Sequence, residues 1–239
     1  MQALLLGVDV GTTATKAVLV DQRGKVVAQG RAEYPTHHLQ AGWVEQDPED
    51  WWRSFCEAVA QARAAAGPCK IGGVLISSQA PTLICVDEKG SPLRRALIWM
   101  DRRAQLQADK LAKEFPDISQ KTGNRADPYY VAAKIQWLIE NEPHNYQKSK
   151  YFLQIPGYLN FKLTGKFGLD SAHASLLQLR SADNRSWADD VMKFVGVSEE
   201  KFPEIGLSSQ LFGEVGPNNQ SGIETGSPVF FGTVDGCSA

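Results

Sequence analysis

Residues 4–21, Leu4-Leu5-Leu6-Gly7-Val8-Asp9-Val10-Gly11-Thr12-Thr13-Ala14-Thr15-Lys16-Ala17-Val18-Leu19-Val20-Asp21, read as an apolar strand, a Gly-Thr-Thr turn and a second apolar strand. One acidic residue, Asp9, stands near the end of the first strand. Such a turn gathers backbone N–H groups and two hydroxyls around one point, which is how a nest for phosphate oxygens is built. A carboxylate two residues before the glycine would repel phosphate on direct contact, but it can hold a hydrated divalent cation that bridges to one. Gly11, Thr12 and Thr13 are therefore candidate nucleotide-phosphate ligands, and Asp9 is the candidate magnesium ligand. Lys16 either adds positive charge beside the phosphate or snorkels from its strand into solvent. The bland alternative is a plain β-hairpin, since Gly-Thr turns between apolar strands are common. The spacing of a P-loop is absent, and no Gly-x-Gly-x-x-Gly follows the strand.

At 239 residues the chain fits one large domain or two small ones, each able to bury a core. Hydrophobic content of 43% and charged content of 22% are ordinary for a globular protein. A net charge of −2 leaves no footprint for nucleic acid or an anionic membrane. No apolar window reaches the length of a transmembrane span, and Leu4–Val10 is strand-length rather than a signal sequence. The cytoplasm is the default location, and a homodimer is compatible with this composition. Cys56, Cys69, Cys85 and Cys237 have neither disulfide nor metal spacing, and His37-His38 has nothing nearby to complete a tetrahedral site. Cys56 in a helical pattern and Cys85 in an apolar strand are expected to behave as small buried hydrophobes.

Strands are predicted at about 3–10, 15–20 and 26–33, with a hairpin turn around Gly24. A polar stretch from Pro35 to Glu45 leads to Asp47-Pro48-Glu49-Asp50, an N-cap followed by proline and an acidic first turn. Trp51, Trp52, Phe55, Val59 and Ala62 continue it at helical spacing to Gly67-Pro68. Residues 71–77 and 82–87 read as buried strands. Helical patterns run from Asp101 towards Phe115, over 131–140 with Val131, Ile135, Leu138 and Ile139 inward, over 156–163, and over 187–195. No element is assigned to 169–186. Positions 206–228 read as a surface meander, and 228–232 as a last strand. Two hairpin-linked strands, a third beside them, then helix and strands resemble an α/β, ribonuclease-H-like domain of the actin-like ATPase type, a mixed sheet flanked by helices. The stretch 229–239 reads as strand, turn, acidic residue and the start of a helix. A helix begun at the last residue buries nothing, so the expectation is truncation within a larger protein, the alternative being a frayed tail.

Together these stretches resemble the N-terminal domain of the FGGY family of carbohydrate kinases, across essentially the whole chain. The resemblance rests on Asp9-x-Gly11-Thr12-Thr13-x-x-Lys16, Glu45-Gln46-Asp47-Pro48 with Trp51-Trp52, Ser78-Gln79 and Trp99-x-Asp101-x-Arg103. It continues through Thr122-Gly123, Leu163-Thr164-Gly165 and Gly232-Thr233-Val234-Asp235. It implies a sugar-binding domain at 1–239, with the ATP-binding domain of the family lying outside this chain. It also implies MgATP as cofactor and a small sugar or polyol as substrate. The subgroup resembled most is the xylulose kinases, which implies a ketopentose. Two departures bear on the sugar. Gln79-Ala80-Pro81-Thr82 stands where xylulose kinases carry Gln-Met-His-Gly, and Gly236 where they carry Asn. Pro128-Tyr129-Tyr130 instead resembles the substrate region of glycerol kinases.

A hydroxyl is a weak nucleophile at neutral pH, so a kinase needs a carboxylate to take its proton. The resemblance gives that role to Asp235, at the end of an apolar strand; from the residues alone, an Asp capping a following helix is an equal reading. Gln79, Ala80, Trp99, Asp101, Arg103, Tyr129 and Asp235 are the candidate substrate residues. Trp99 alternatively packs in the core beneath Asp101, Asp101 alternatively caps the next helix, and Arg103 alternatively pairs with Asp101 or Glu114 on a solvated face. Trp51, Trp52, His37 and His38 are assigned to packing or surface. The remaining alternatives are a glycerol- or erythritol-type polyol kinase and a non-catalytic actin-like nucleotide-binding module.

Overall fold

Alternation in the first strand sets the layering of the molecule. The computed structural model describes residues 3–237. The chain opens with β1 (Ala3–Val10), β2 (Ala14–Val20) and β3 (Val26–Glu33). A short hairpin follows, β4 (His37–Gln40) and β5 (Trp43–Gln46), then α1 (Pro48–Ala66) and β6 (Lys70–Ser78). Next come β7 (Ile84–Val86), β8 (Ala96–Leu97), α2 (Gln105–Glu114), α3 (Ile118–Thr122), α4 (Val131–Asn141) and α5 (Pro143–Lys148). They are followed by β9 (Tyr151–Leu153), α6 (Ile155–Thr164), β10 (Leu169–Asp170), the single-turn α7 (Ser171–Ser175) and α8 (Asp189–Val195). The last strands are β11 (Ile205–Gly206), β12 (Leu211–Glu214), β13 (Pro228–Phe230) and β14 (Thr233–Val234).

The central sheet has the order β12-β13-β6-β1-β2-β3, with β14 also paired to β6. It is mixed: β1 to β3 are antiparallel, while β6 runs parallel to β1, β13 and β14. Leu4, Leu6, Val8 and Val10 are buried on the face covered by α1, and Leu5, Gly7 and Asp9 lie on the opposite, more open face. Asp47 caps α1 by accepting from the Glu49 amide at 3.0 Å, and Trp51, Phe55, Ala58, Val59 and Ala62 carry its buried stripe. Gly30 lets the helix touch the sheet, because a Cβ there would fall 2.1 Å from the Ala58 carbonyl oxygen. A second core gathers around α2, α4 and α8, with Val131, Ile135 and Leu138 buried as the spacing predicts and Ile139 partly buried against them.

Several elements depart from the expectation. The polar stretch from Pro35 to Glu45 is largely a hairpin, because β5 pairs with the distant β8 (Glu45 with Leu97, Gln46 with Ala96). Expected strand 82–87 shortens to β7 and joins β9, outside the central sheet. The helix expected from Asp101 begins at Gln105, and the one expected from Trp187 begins at Asp189. Residues 169–186, left unassigned, hold β10 and α7, and the meander at 206–228 contributes β11 and the sheet-edge strand β12. Gly232, at φ +97°, separates β13 from β14; a Cβ there would lie 2.4 Å from the Ile76 carbonyl oxygen. Of the helix expected after Asp235, residues Asp235–Cys237 form a single 3-10 turn, and Ser238 and Ala239 lie outside the described residues. Among the described residues no helix is long and apolar enough to cross a membrane. Cys85 is fully buried and Cys56 partly so; burial pushes their thiols up to about 12 and about 11, so both stay protonated.

Candidate active site

The turn between β1 and β2 is held by its carbonyl groups. The Gly11 carbonyl accepts from the Tyr34 hydroxyl and from Gln79 Nε2, and the Thr12 carbonyl accepts from Gln46 Nε2 at 2.7 Å. The Thr13 carbonyl accepts from the Tyr34 amide at 3.3 Å. In a trans peptide the N–H points opposite to the C=O, so carbonyls turned into the protein turn the next amides out. The Thr12 and Thr13 amides follow two such carbonyls. Two consecutive N–H groups facing outward, flanked by two threonine hydroxyls, make a site for anionic oxygens. Sequence reasoning missed the clamps, Tyr34 and Gln46. The signal for Gln46 was its place in Glu45-Gln46-Asp47-Pro48, which carried no assigned role.

Asp9 lies next to this turn. Its Oδ1 accepts from the Ser77 hydroxyl at 3.0 Å, and its strand partner on β2 is Lys16, exposed on the same open face. Across β6, Ser77 pairs with both Asp9 and Thr233, so Asp9 and Thr233 are separated by one intervening strand, about 10 Å. Asp235 follows two residues after Thr233. The two acids thus flank β6 at the carboxyl end of its parallel neighbours, where open sheets place their ligand crevices. The Asp235 side chain is exposed and its Oδ1 accepts from the Gly236 amide at 2.7 Å.

Other expected residues close the ring. Trp99 is 37% exposed and donates through Nε1 to Thr12 Oγ1 at 3.3 Å, so it borders the turn rather than packing in the core. Tyr129 donates its hydroxyl to the Ala80 carbonyl at 2.7 Å. Burial, then the neighbouring Tyr130 and the charge of Asp235, raise the Tyr129 hydroxyl above the usual tyrosine value. Gln79 is buried; its Nε2 donates to Gln46 Oε1 at 2.7 Å, and its Oε1 has no hydrogen-bond partner. Ala80 offers the site only its backbone.

Asp101 and Arg103 require a correction. Asp101 is fully buried and accepts from the Val44 amide at 2.7 Å and from the Arg103 backbone and guanidinium. Arg103 also reaches Glu45 at 2.8 Å and lies over the Trp43 ring at 3.9 Å, with 1% of its side chain exposed. The Asp101 carboxylate and Arg103 Nε and Nη2 are engaged inside the protein, out of solvent. The pair anchors the β4–β5 hairpin and does not grip a sugar. Asp101 caps no helix, since Ala104 precedes α2.

Among the described residues no three His, Cys, Asp or Glu side chains cluster to hold a metal ion. A single carboxylate at the phosphate turn fits magnesium, which keeps several waters and shares its other positions with nucleotide phosphates.

A mixed sheet flanked by helices, opened by an antiparallel hairpin and continued by strands parallel to β6, is the actin-like ATPase fold. More narrowly, the chain belongs to the FGGY family of carbohydrate kinases, whose N-terminal domain matches residues 4–239. It is 32% identical over 212 residues to a glycerol kinase of Thermococcus onnurineus, covering 86% of this chain and 43% of that one. It is 31% identical over 204 residues to a xylulose kinase of Bacillus subtilis, covering 84% and 41%. Among solved structures, gluconate kinase from Lactobacillus acidophilus superposes with a TM-score of 0.93 at 25% identity, over 99% of this chain and 49% of the other. Plasmodium falciparum glycerol kinase with ADP gives 0.90 at 25% identity, over 99% and 49%. The chain spans less than half the length of the relatives it matches.

Proposed function

We propose that this chain is the sugar-binding half of an ATP-dependent kinase, in which Asp235 is the general base for a sugar hydroxyl. The observation that carries the reading is the pairing of an outward-facing amide turn with an acid across one strand, at the same end of the sheet. Bound MgATP supplies the transferable phosphoryl group and its divalent charge. The Thr12 and Thr13 amides and hydroxyls receive the oxygens of that group, and Lys16 adds positive charge on the same face. Asp9 holds the hydrated ion. The Trp99 ring forms a flat wall for the sugar, with Tyr129 as a polar contact and Gln79 holding the turn beside it. Asp235 accepts the hydroxyl proton as the bond to phosphorus develops, a step that contributes roughly 10²–10⁴-fold. A second, adenosine-binding domain completes the cleft, so the 239-residue chain alone does not turn over.

The acceptor we propose is a ketopentose such as xylulose. A polyol of the glycerol or erythritol kind is the second reading. It is favoured by Ala80 and Pro81, which bring no polar side chain to the site, and by Tyr129. The soluble cytoplasm is the compartment this reading implies. Asp235→Asn in the protein carrying both halves should lower ADP release by about 10²–10⁴-fold while sugar still raises the melting temperature. Undiminished turnover by that variant would remove Asp235 from the mechanism.

A further inference from the structure

Beneath the cleft lie three buried polar residues that the proposed chemistry does not use. His173 on α7 is fully buried, and its Nδ1 lies 2.8 Å from Asp170 Oδ2. Asp170 also accepts from the His173 amide at 2.9 Å, capping α7 with the same carboxylate. On the other side of the ring, His173 Nε2 lies 3.2 Å from the Ser78 hydroxyl. An acceptor-only carboxylate at Nδ1 requires the proton there, so in the neutral ring Nε2 is an acceptor for the serine. The single Ser78 hydroxyl proton is shared between His173 Nε2 and the Gln79 carbonyl oxygen, 3.0 Å away.

The place of Ser78 gives this row its interest. It is the last residue of β6, fully buried, and its strand partners are Val10 of β1 and Val234 of β14. Gln79 follows Ser78, Gly11 follows Val10 and Asp235 follows Val234. Three segments of the candidate site therefore leave the sheet at the one level where the Asp170–His173–Ser78 row meets it. An apolar contact would fill the same space without fixing direction; two hydrogen bonds on opposite sides of a ring fix both its orientation and the serine rotamer.

We propose that His173, oriented by Asp170, is a positioning residue that sets the end of β6 through Ser78 and so aligns Gln79 and Asp235. The inference rests on Asp235 acting as the base. It touches neither substrate nor phosphate and acts only through the backbone it braces.

The test has two arms. In the 239-residue chain, Ser78→Ala removes only the strut and leaves the His173–Asp170 pair; the backbone amide resonances of Gln79 and Gly236 should shift while those of α1 stay in place. In the protein carrying both halves, Ser78→Ala and His173→Leu should lower kcat between about tenfold and 100-fold with the sugar KM within twofold, as expected for sub-ångström misplacement of a catalytic group. His173→Gln, which keeps an acceptor for the serine, should restore most of the rate. The double variant should be no slower than His173→Leu alone. Unmoved Gln79 and Gly236 amides in Ser78→Ala, or a kcat equal to that of the parent protein, would overturn the proposal. Shifted amides together with an active Asp235→Asn variant would keep the brace and discard the base.

Discussion

Gln46 satisfies four groups with one amide. Its Nε2 donates to the Thr12 carbonyl and to Thr36 Oγ1, both at 2.7 Å, while its Oε1 accepts from Trp51 Nε1 at 3.1 Å and from Gln79 Nε2 at 2.7 Å. Gln46→Leu keeps similar bulk and takes from buried Trp51 Nε1 its acceptor, while the Thr12 carbonyl keeps only Thr36 Oγ1 at 3.5 Å and Gln79 Nε2 only the Gly11 carbonyl at 3.3 Å. An orphaned buried donor costs on the order of 1–3 kcal/mol, so the variant should lose about 2 kcal/mol in urea denaturation. It should also bind nucleotide more weakly, because the Thr12 carbonyl is released; unchanged nucleotide affinity would mean the turn holds its shape without this clamp. Lys134 makes a different case at the same scale. Its Nζ donates to the Pro128 and Tyr129 carbonyls at 2.6 Å, bracing the loop that carries Tyr129, and burial brings its pKa down from 10.5 to about 7. Between those values the unfolded chain holds a proton at this site that the folded chain does not, so stability rises with pH across that window. The melting-temperature difference between the parent protein and Lys134→Met should therefore widen from pH 7 towards pH 10, and a difference that narrows would contradict the assignment.

Elements differ in how far their own residues determine them. Strand β1 and helix α1 were legible because each carries a complete local signal, period two in Leu4–Val10 and an Asp-Pro cap ahead of a 3.6-residue stripe. Hairpin β4–β5 was not, because its polar sequence is held in place by β8, about fifty residues away, and by the buried Asp101–Arg103 pair. The same holds for α7, too short for any period to show, although Asp170 caps it and His173 sits on it. In the candidate site, Asp9 and the Gly-Thr-Thr turn are proposed from residue type and order, and Asp235 from the family resemblance. The carbonyl clamps and the histidine brace were not legible, since they depend on contacts between distant segments. Gly30 illustrates the limit from the other side: strand propensity favours valine there, yet the Ala58 carbonyl oxygen leaves no room for a Cβ. Gly30→Val should destabilise the protein by about 3 kcal/mol through displacement of α1 from β3, measured by chemical denaturation. Retained stability would show that the helix shifts at little cost.

At the scale of the whole molecule, two cores have to move as one for the cleft to keep its shape. One lies under the central sheet with α1 and α6, the other among α2, α4 and α8. Along part of their seam run Arg103, Asp101, Glu45, Arg94 and Glu142, with Trp43 and Trp137 stacked against the guanidinium groups. Glu45 belongs to β5, beside the clamp Gln46, and Glu142 caps the end of α4, so the network ties the Gly11–Thr13 turn to the helical layer that carries Tyr129. Replacing a buried ion network by apolar groups is often harmless, whereas removing one member leaves an uncompensated charge. Arg103→Ala exposes that asymmetry, because Asp101 stays fully buried with its main cation gone. The variant should lose about 3–5 kcal/mol. Its unfolding should also broaden into two transitions as the layers separate, read by tryptophan fluorescence against far-UV circular dichroism. Asp101→Asn combined with Arg103→Met should recover much of the loss, since the stranded charge is then absent. A double variant as unstable as Arg103→Ala would mean that the packing of the guanidinium on Trp43, and not its pairing, joins the two halves.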